Sequence, residues 1–203
     1  MTAGRQNISQ SQDWCTPRKY VETIRVFFGG MIDLDPCSNK FSIVDAHTKY
    51  KLPKKDGLKE SWDFDTVFVN PPYGRAKNSQ TSIYDWFEKC YEAHKEYGSE
   101  VLALVPVATN TSHWKEFVFG KARAVCFLSD TRLKFLVDGS EDNKGAPMSC
   151  CMIYWGKHFD KFLNHFSEHG AVVPVKQAYG KRKKPKAKSK FPKIVEFQPS
   201  FFN

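Results

Sequence analysis

Val67-Phe68-Val69-Asn70-Pro71-Pro72-Tyr73-Gly74 is a β-rich run cut short by two prolines. Proline cannot donate to a sheet ladder, and two in succession fix a rigid turn. In an open α/β sheet, ligands bind outside the carboxyl ends of the strands. The turn sets three groups at such an end: the amide oxygen of Asn70, the backbone carbonyl of Pro71 and the flat ring of Tyr73, with Pro72 shaping the bend. Two acceptors beside a stacking ring suit the exocyclic amine of a planar heterocycle. Asn70, Pro71, Pro72 and Tyr73 are therefore the candidate catalytic residues.

Working outward, short apolar strands alternate with helical patterns. Thr16-Pro17 opens a helix to Phe28, with Thr16 as N-cap and an apolar stripe of Val21, Ile24, Phe27 and Phe28. Residues 31–34 read as a strand running into Asp35-Pro36-Cys37-Ser38. Residues 79–97 read as a helix, 101–105 as a strand buried on both faces, 111–119 as a short helix, and 124–128 and 149–155 as further strands. Residues 132–137 are a possible partner strand beside 149–155. The alternation argues an α/β domain with a mostly parallel, doubly wound sheet and helices on both faces. The expected organisation is a disordered stretch over residues 1–12, a catalytic body over 13–175 and a Lys-rich tail over 176–203.

Charge separates the body from the tail. The formal net charge is +9, and Lys176, Lys181, Arg182, Lys183, Lys184, Lys186, Lys188, Lys190 and Lys193 supply nine positive charges with no acid between them. The remainder is neutral, so the tail is a concentrated partner for phosphate, most simply of nucleic acid. Lysine contacts to phosphate position without specifying sequence. No apolar run approaches the ~18 residues of a membrane span. Residues 1–12 lack the apolar centre of a secretory leader, so a cytoplasmic protein with free thiols is expected of the six cysteines. His158, His165 and His169 lie near Cys150 and Cys151, but adjacent cysteines on opposite faces of a strand do not make a zinc site, and no metal is expected.

Four segments in order are Asp13-Trp14-Cys15-Thr16-Pro17, Ile32-Asp33-Leu34-Asp35-Pro36-Cys37-Ser38, Asp56-Gly57-Leu58 with Trp62, and the run ending in Asn70-Pro71-Pro72-Tyr73. Together they make residues 13–156 resemble the phage-encoded Dam-type DNA N6-adenine methyltransferases. The resemblance implies a Rossmann-like, S-adenosyl-L-methionine (AdoMet)-dependent fold acting on double-stranded DNA in the cytoplasm of a bacterial host cell, as a monomer or weak dimer. It implies that Asn70 and the Pro71 carbonyl accept the two hydrogens of the target amine, while Tyr73 stacks on a flipped base. Thr16 and Pro17 are then candidates for the methionine carboxylate. Asp33, Asp35, Pro36, Cys37 and Ser38 form the cofactor loop, with Asp45 and Asp56 as candidates for the ribose and adenine. The wider methyltransferase superfamily has a glycine-rich G-x-G at this loop; this chain has none, and in this it resembles the Dam-type phage proteins.

Arg132, Lys134 and Phe135 border the target-base pocket on this reading, Phe135 stacking and Arg132 holding phosphate. Lys181, Arg182, Lys183 and Lys184 represent the tail's DNA contacts. His113-Trp114 is a further candidate near DNA. No separate target-recognition domain is legible, which leaves sequence reading to loops such as 75–80 and 138–147. The residues alone leave other amines open: N4 of cytosine, an RNA base or a protein amide. A non-catalytic DNA-binding module keeping the fold also stays open.

Overall fold

The computed structural model describes residues 14–73, 81–130, 132–141 and 145–176. Residues 1–13 and 74–80, Thr131, and residues 142–144 and 177–203 lie outside it, and with them Lys181, Arg182, Lys183, Lys184 and loop 75–80.

Helix α1, Arg18–Phe27, buries Tyr20, Val21, Ile24 and Phe27, one face of a helical repeat. Its N-cap is Pro17, whose extended backbone lets its carbonyl accept from the N–H groups of Tyr20 and Val21. Thr16 does not cap the helix: its hydroxyl is buried without a partner. Gly29 and Gly30, at φ +85° and +108°, end the helix in a conformation that a side chain disfavours.

Among the described residues nine short strands follow in chain order: β1 Leu34–Asp35, β2 Thr48–Lys49, β3 Thr66–Val69, β4 Glu100–Pro106, β5 Ala124–Leu128, β6 Leu136–Val137, β7 Ser140–Glu141, β8 Cys150–Trp155 and β9 Gly170–Pro174. Helix α2, Ile83–Glu92, opens on a reciprocal Ser82–Asp85 capping box and runs on through a wider π turn, Ala93–Tyr97. The predicted helix over 111–119 is a single π turn, Trp114–Val118. Helix α3 is Phe159–Phe166.

Seven strands form one sheet in the order β2-β1-β3-β4-β8-β5-β9. The β1–β2, β1–β3 and β3–β4 pairs are parallel, whereas β4–β8, β5–β8 and β5–β9 are antiparallel. The expected mostly parallel sheet is thus mixed, because β8 and β9 run backwards. Nothing in the sequence marked the reversal: β8 is buried at every position, like the parallel strands beside it. Two further expectations are corrected. Residues 132–137 do not join β8; Leu136–Val137 pairs with Ser140–Glu141 in a separate hairpin. Residues 170–174, read as part of the body's end, add an edge strand beside β5.

Alternate residues of the strands face opposite layers. Val67, Val69, Val101, Ala103 and Ile153 pack on one side with Trp86, Phe87, Trp114 and Phe117. Phe68, Leu102, Leu104 and Met152 pack on the other with Tyr20, Ile24, Phe27, Phe162 and Phe166. Each such side chain contributes about 1.5–3 kcal/mol by leaving water. Trp114 and His113, named as candidates near DNA, are buried in this packing.

The layers place the site. From β1 the chain steps outward to β2, then returns to the other side of β1 as β3 and continues to β4. The order reverses between β1 and β3, and a crevice opens outside their carboxyl ends. Asp35 closes β1 and Asn70 follows β3.

Candidate active site

Asn70 leaves the end of β3 with both ends of its carboxamide engaged. Nδ2 donates to the Trp14 carbonyl at 2.9 Å, and Oδ1 accepts from the Tyr73 hydroxyl at 2.9 Å. The same hydroxyl lies 3.0 Å from the Leu104 carbonyl. That carbonyl lies beyond the last β3–β4 pair, Val69 with Ala103. Burial pushes the Tyr73 phenol well above its usual pKa, so the group is a neutral donor. Pro71 is buried and Pro72 exposed.

Three rings surround this amide. Trp14 stacks on Phe135 with centroids 5.2 Å apart and planes at 15°. Tyr73 meets Trp14 and Phe135 edge-on, at 6.3 and 5.8 Å. The segment before α1 is held here by a two-way backbone bridge between Cys15 and Leu136, each N–H donating at 2.9 Å.

At the end of β1, Asp35 is only 4% exposed. Its oxygens accept from the Cys37 N–H at 3.2 Å and the Ser42 hydroxyl at 3.3 Å. Burial pushes its pKa up to about 6, against those hydrogen bonds, which favour the charge. The Ser38 hydroxyl lies close enough to favour that charge too, but is buried without a hydrogen bond of good geometry. No cation pairs with Asp35 among the described residues. Burial and the adjacent Asp35 keep the Cys37 thiol protonated.

Thr16, Asp35, Cys37 and Asn70 line a single cleft with Trp14, Asn39 and Ser42. Its enclosed space is about 20 Å³, room for roughly one water. The cleft thus gathers a buried carboxylate, an unpartnered hydroxyl and the amide of an Asn-Pro-Pro-Tyr turn. A family model described as DNA N-6-adenine-methyltransferase (Dam) matches residues 5–180.

The chain belongs to the Dam family. No curated protein and no solved structure matches it. A DNA methyltransferase family implies a methyl donor and a DNA substrate.

Other carboxylates predicted for the Dam cofactor site lie outside the cleft. Asp33 clamps β1 to β3 at their amino ends: Oδ2 accepts from the Thr66 N–H at 2.9 Å and its hydroxyl at 2.7 Å. Asp45, at φ +51°, is exposed and bonded to Lys49 at 2.6 Å, which holds its carboxyl below the usual range. Asp56 accepts from the Leu58 N–H at 3.1 Å and pairs with Lys59 at 3.5 Å. Asp56 still neighbours the Asp35–Ser38 loop through Gly57. A Cβ there would come within 1.8 Å of the Pro36 carbonyl oxygen, so only glycine lets the two loops touch. The Gly57 carbonyl accepts from the Trp62 indole at 2.7 Å, which seats the loop on the core.

Pro17 lies at the start of α1, beside Thr16. Arg132 and Lys134 are exposed, whereas Phe135 is buried under Trp14. Sequence reasoning missed Trp14, Asn39 and Ser42 as cleft residues; the polar run Ser38-Asn39-Lys40-Phe41-Ser42 was the only signal for the last two. His165 and His169 turn to different partners, the Lys161 carbonyl and the Thr23 hydroxyl. No group of three or more metal-ligating residues occurs among the described residues. Nor is any helix among them long and apolar enough to cross a membrane.

Proposed function

We propose that this chain transfers a methyl group from AdoMet to N6 of an adenine flipped out of double-stranded DNA. The observation that carries this reading is the shared cleft: Asn70 meets Asp35 and Thr16 where the strand order reverses. The strand order and the helices on both faces support a Rossmann-like fold.

The residues fit AdoMet. Asp35 is a buried carboxylate without a cation, and AdoMet brings two, an ammonium and a sulfonium. The Thr16 hydroxyl is a buried donor without an acceptor, and AdoMet brings a carboxylate. When bound, AdoMet supplies an electrophilic methyl group. Thr16, Pro17, Asp35 and the Cys37–Ser38 turn would hold it, with Asp56 beside them through Gly57 and Pro36.

Adenine N6 is a poor nucleophile because its lone pair is delocalised into the ring. Asn70 Oδ1 and the Pro71 carbonyl accept its two hydrogens and draw the nitrogen toward a tetrahedral, nucleophilic form. Transfer would then be a direct in-line displacement: the N6 lone pair forms the new C–N bond as the methyl–sulfur bond breaks, S-adenosylhomocysteine leaves, and the methylated amine gives up one proton to water, with no covalent enzyme intermediate. Asn70 does not titrate; the rate comes from positioning and fixed dipoles. Tyr73 stacks on the base once its hydroxyl releases Asn70. Stacked duplex DNA cannot present N6 to a site this deep, so the base is flipped. Arg132 and Lys134, on the rim beside Phe135, and the cationic tail contact phosphate.

Labelled AdoMet and unmethylated duplex DNA, followed by nucleoside analysis by mass spectrometry, tests this. N6-methyldeoxyadenosine is expected. N4-methyldeoxycytidine would overturn the choice of base, and absence of any methylated nucleoside would overturn DNA methylation.

A further inference from the structure

Phe135 is expected to stack on the target base, yet it is 1% exposed. The ring covering it is the indole of Trp14, parallel to within 15° at 5.2 Å. An indole and a purine are both planar fused five- and six-membered rings, so Trp14 fills the shape an adenine would need. It is also tied to the catalytic amide, because its carbonyl accepts from Asn70 Nδ2. Tyr73 completes the arrangement: its hydroxyl donates to Asn70 Oδ1, the atom that would accept from N6. The Asn70 carboxamide and the face of Phe135 are thus both occupied by the chain itself.

We propose that Trp14 is a placeholder for the target purine: its indole holds the face of Phe135 that the flipped base takes, and DNA displaces it. This rests on the base-methylation reading above. Displacement is local. The Cys15–Leu136 bridge anchors the backbone one residue away, so rotation of one part-buried side chain uncovers Phe135. The placeholder keeps Phe135 from meeting water between turnovers, and it makes base entry an exchange of one stacked ring for another. Trp14 is a positioning residue, since it touches Asn70 and Phe135 and not the reacting atoms.

The test compares wild type with Trp14→Ala and Trp14→Phe. A placeholder competes with the base, so its removal raises kcat/KM for DNA, by about two- to tenfold, the range one aromatic pair supplies. Trp14→Phe lies between. A ring that merely supports the pocket, or one that holds the base, would give the opposite sign, and a fall in kcat/KM in folded variants overturns the proposal. A second readout needs no turnover. The other four tryptophans are core residues at most 7% exposed, so the difference between wild-type and Trp14→Phe emission reports Trp14. Saturating duplex DNA shifts that component to longer wavelength as the indole enters water; an unmoved component overturns the proposal even if the Ala variant fails to fold. Should wild type make no methylated base, the methyl-transfer reading fails while the emission shift still decides displacement.

Discussion

Replacing Asp35 by asparagine separates what its burial costs from what it holds. A carboxyl that ionises near pH 6 in the folded chain and at its ordinary, lower value in the unfolded one destabilises the fold when charged. The charged form costs about 3 kcal/mol above pH 7, a cost that fades as pH falls through 6 and is gone below about pH 4. Asparagine keeps the hydrogen-bond pattern: its oxygen accepts from the Cys37 N–H, and its amide donates to Ser42, whose hydroxyl turns round. Asp35→Asn should therefore stabilise the ligand-free protein at pH 8 by up to about 3 kcal/mol, roughly 6–12 °C in Tm for a chain this size. The gain should vanish at pH 4. AdoMet binding moves the other way. In wild type it weakens below pH 6 as the carboxyl protonates; in the variant it is weak, by about tenfold or more at pH 8, and flat with pH. Urea melts from pH 4 to 8 and calorimetric titration of AdoMet measure both. A variant less stable than wild type at pH 8, with AdoMet affinity unchanged, would refute the argument.

Three further outcomes are expected. Asn70→Ala should lower kcat roughly 100-fold or more while leaving AdoMet affinity near wild type, read by single-turnover methylation and calorimetry; retained turnover removes its role. Gly57→Ala forces a Cβ into the Pro36 carbonyl, and should destabilise the protein by about 1–3 kcal/mol in urea melts. Deleting residues 176–193 removes nine cations and should flatten the plot of log affinity against log salt by up to about 8, with an unchanged slope denying the tail its phosphate contacts.

The parts of the site legible in the sequence were those whose chemistry is local. Two prolines ending a strand fix the Asn70 turn wherever the strand lies, and Asp35 falls at a strand end because the apolar run stops there. Helix α1 was legible from its stripe. The surroundings of the other carboxylates were not legible. Asp33, Asp45 and Asp56 look alike as loop carboxylates, and only the fold shows that Asp33 meets the distant Thr66 while Asp45 and Asp56 turn to Lys49 and Lys59, three or four residues on. The direction of β8 was illegible because burial on both faces hides it. Trp14 was quoted as part of a segment, but its meaning lies in Phe135, far along the chain and brought to it by the bridge at Leu136.

Strand β9 sets where the tail departs. It runs from Gly170, beside Leu128 at the carboxyl end of β5, back to Pro174 beside Ala124 at its amino end. Asn70 lies at the carboxyl end of β3, four strand spacings away, about 19 Å across the sheet. The chain therefore leaves the described body about four strand spacings from the candidate cleft, and the cationic segment and the cleft are proposed as two separate contacts with one DNA polymer. On the proposed reading, the first governs avidity and how long the enzyme dwells on one DNA molecule between events, and the second governs what is done during that stay. Salt should thus shorten the number of methyl groups placed per encounter well before it slows the placing of each one.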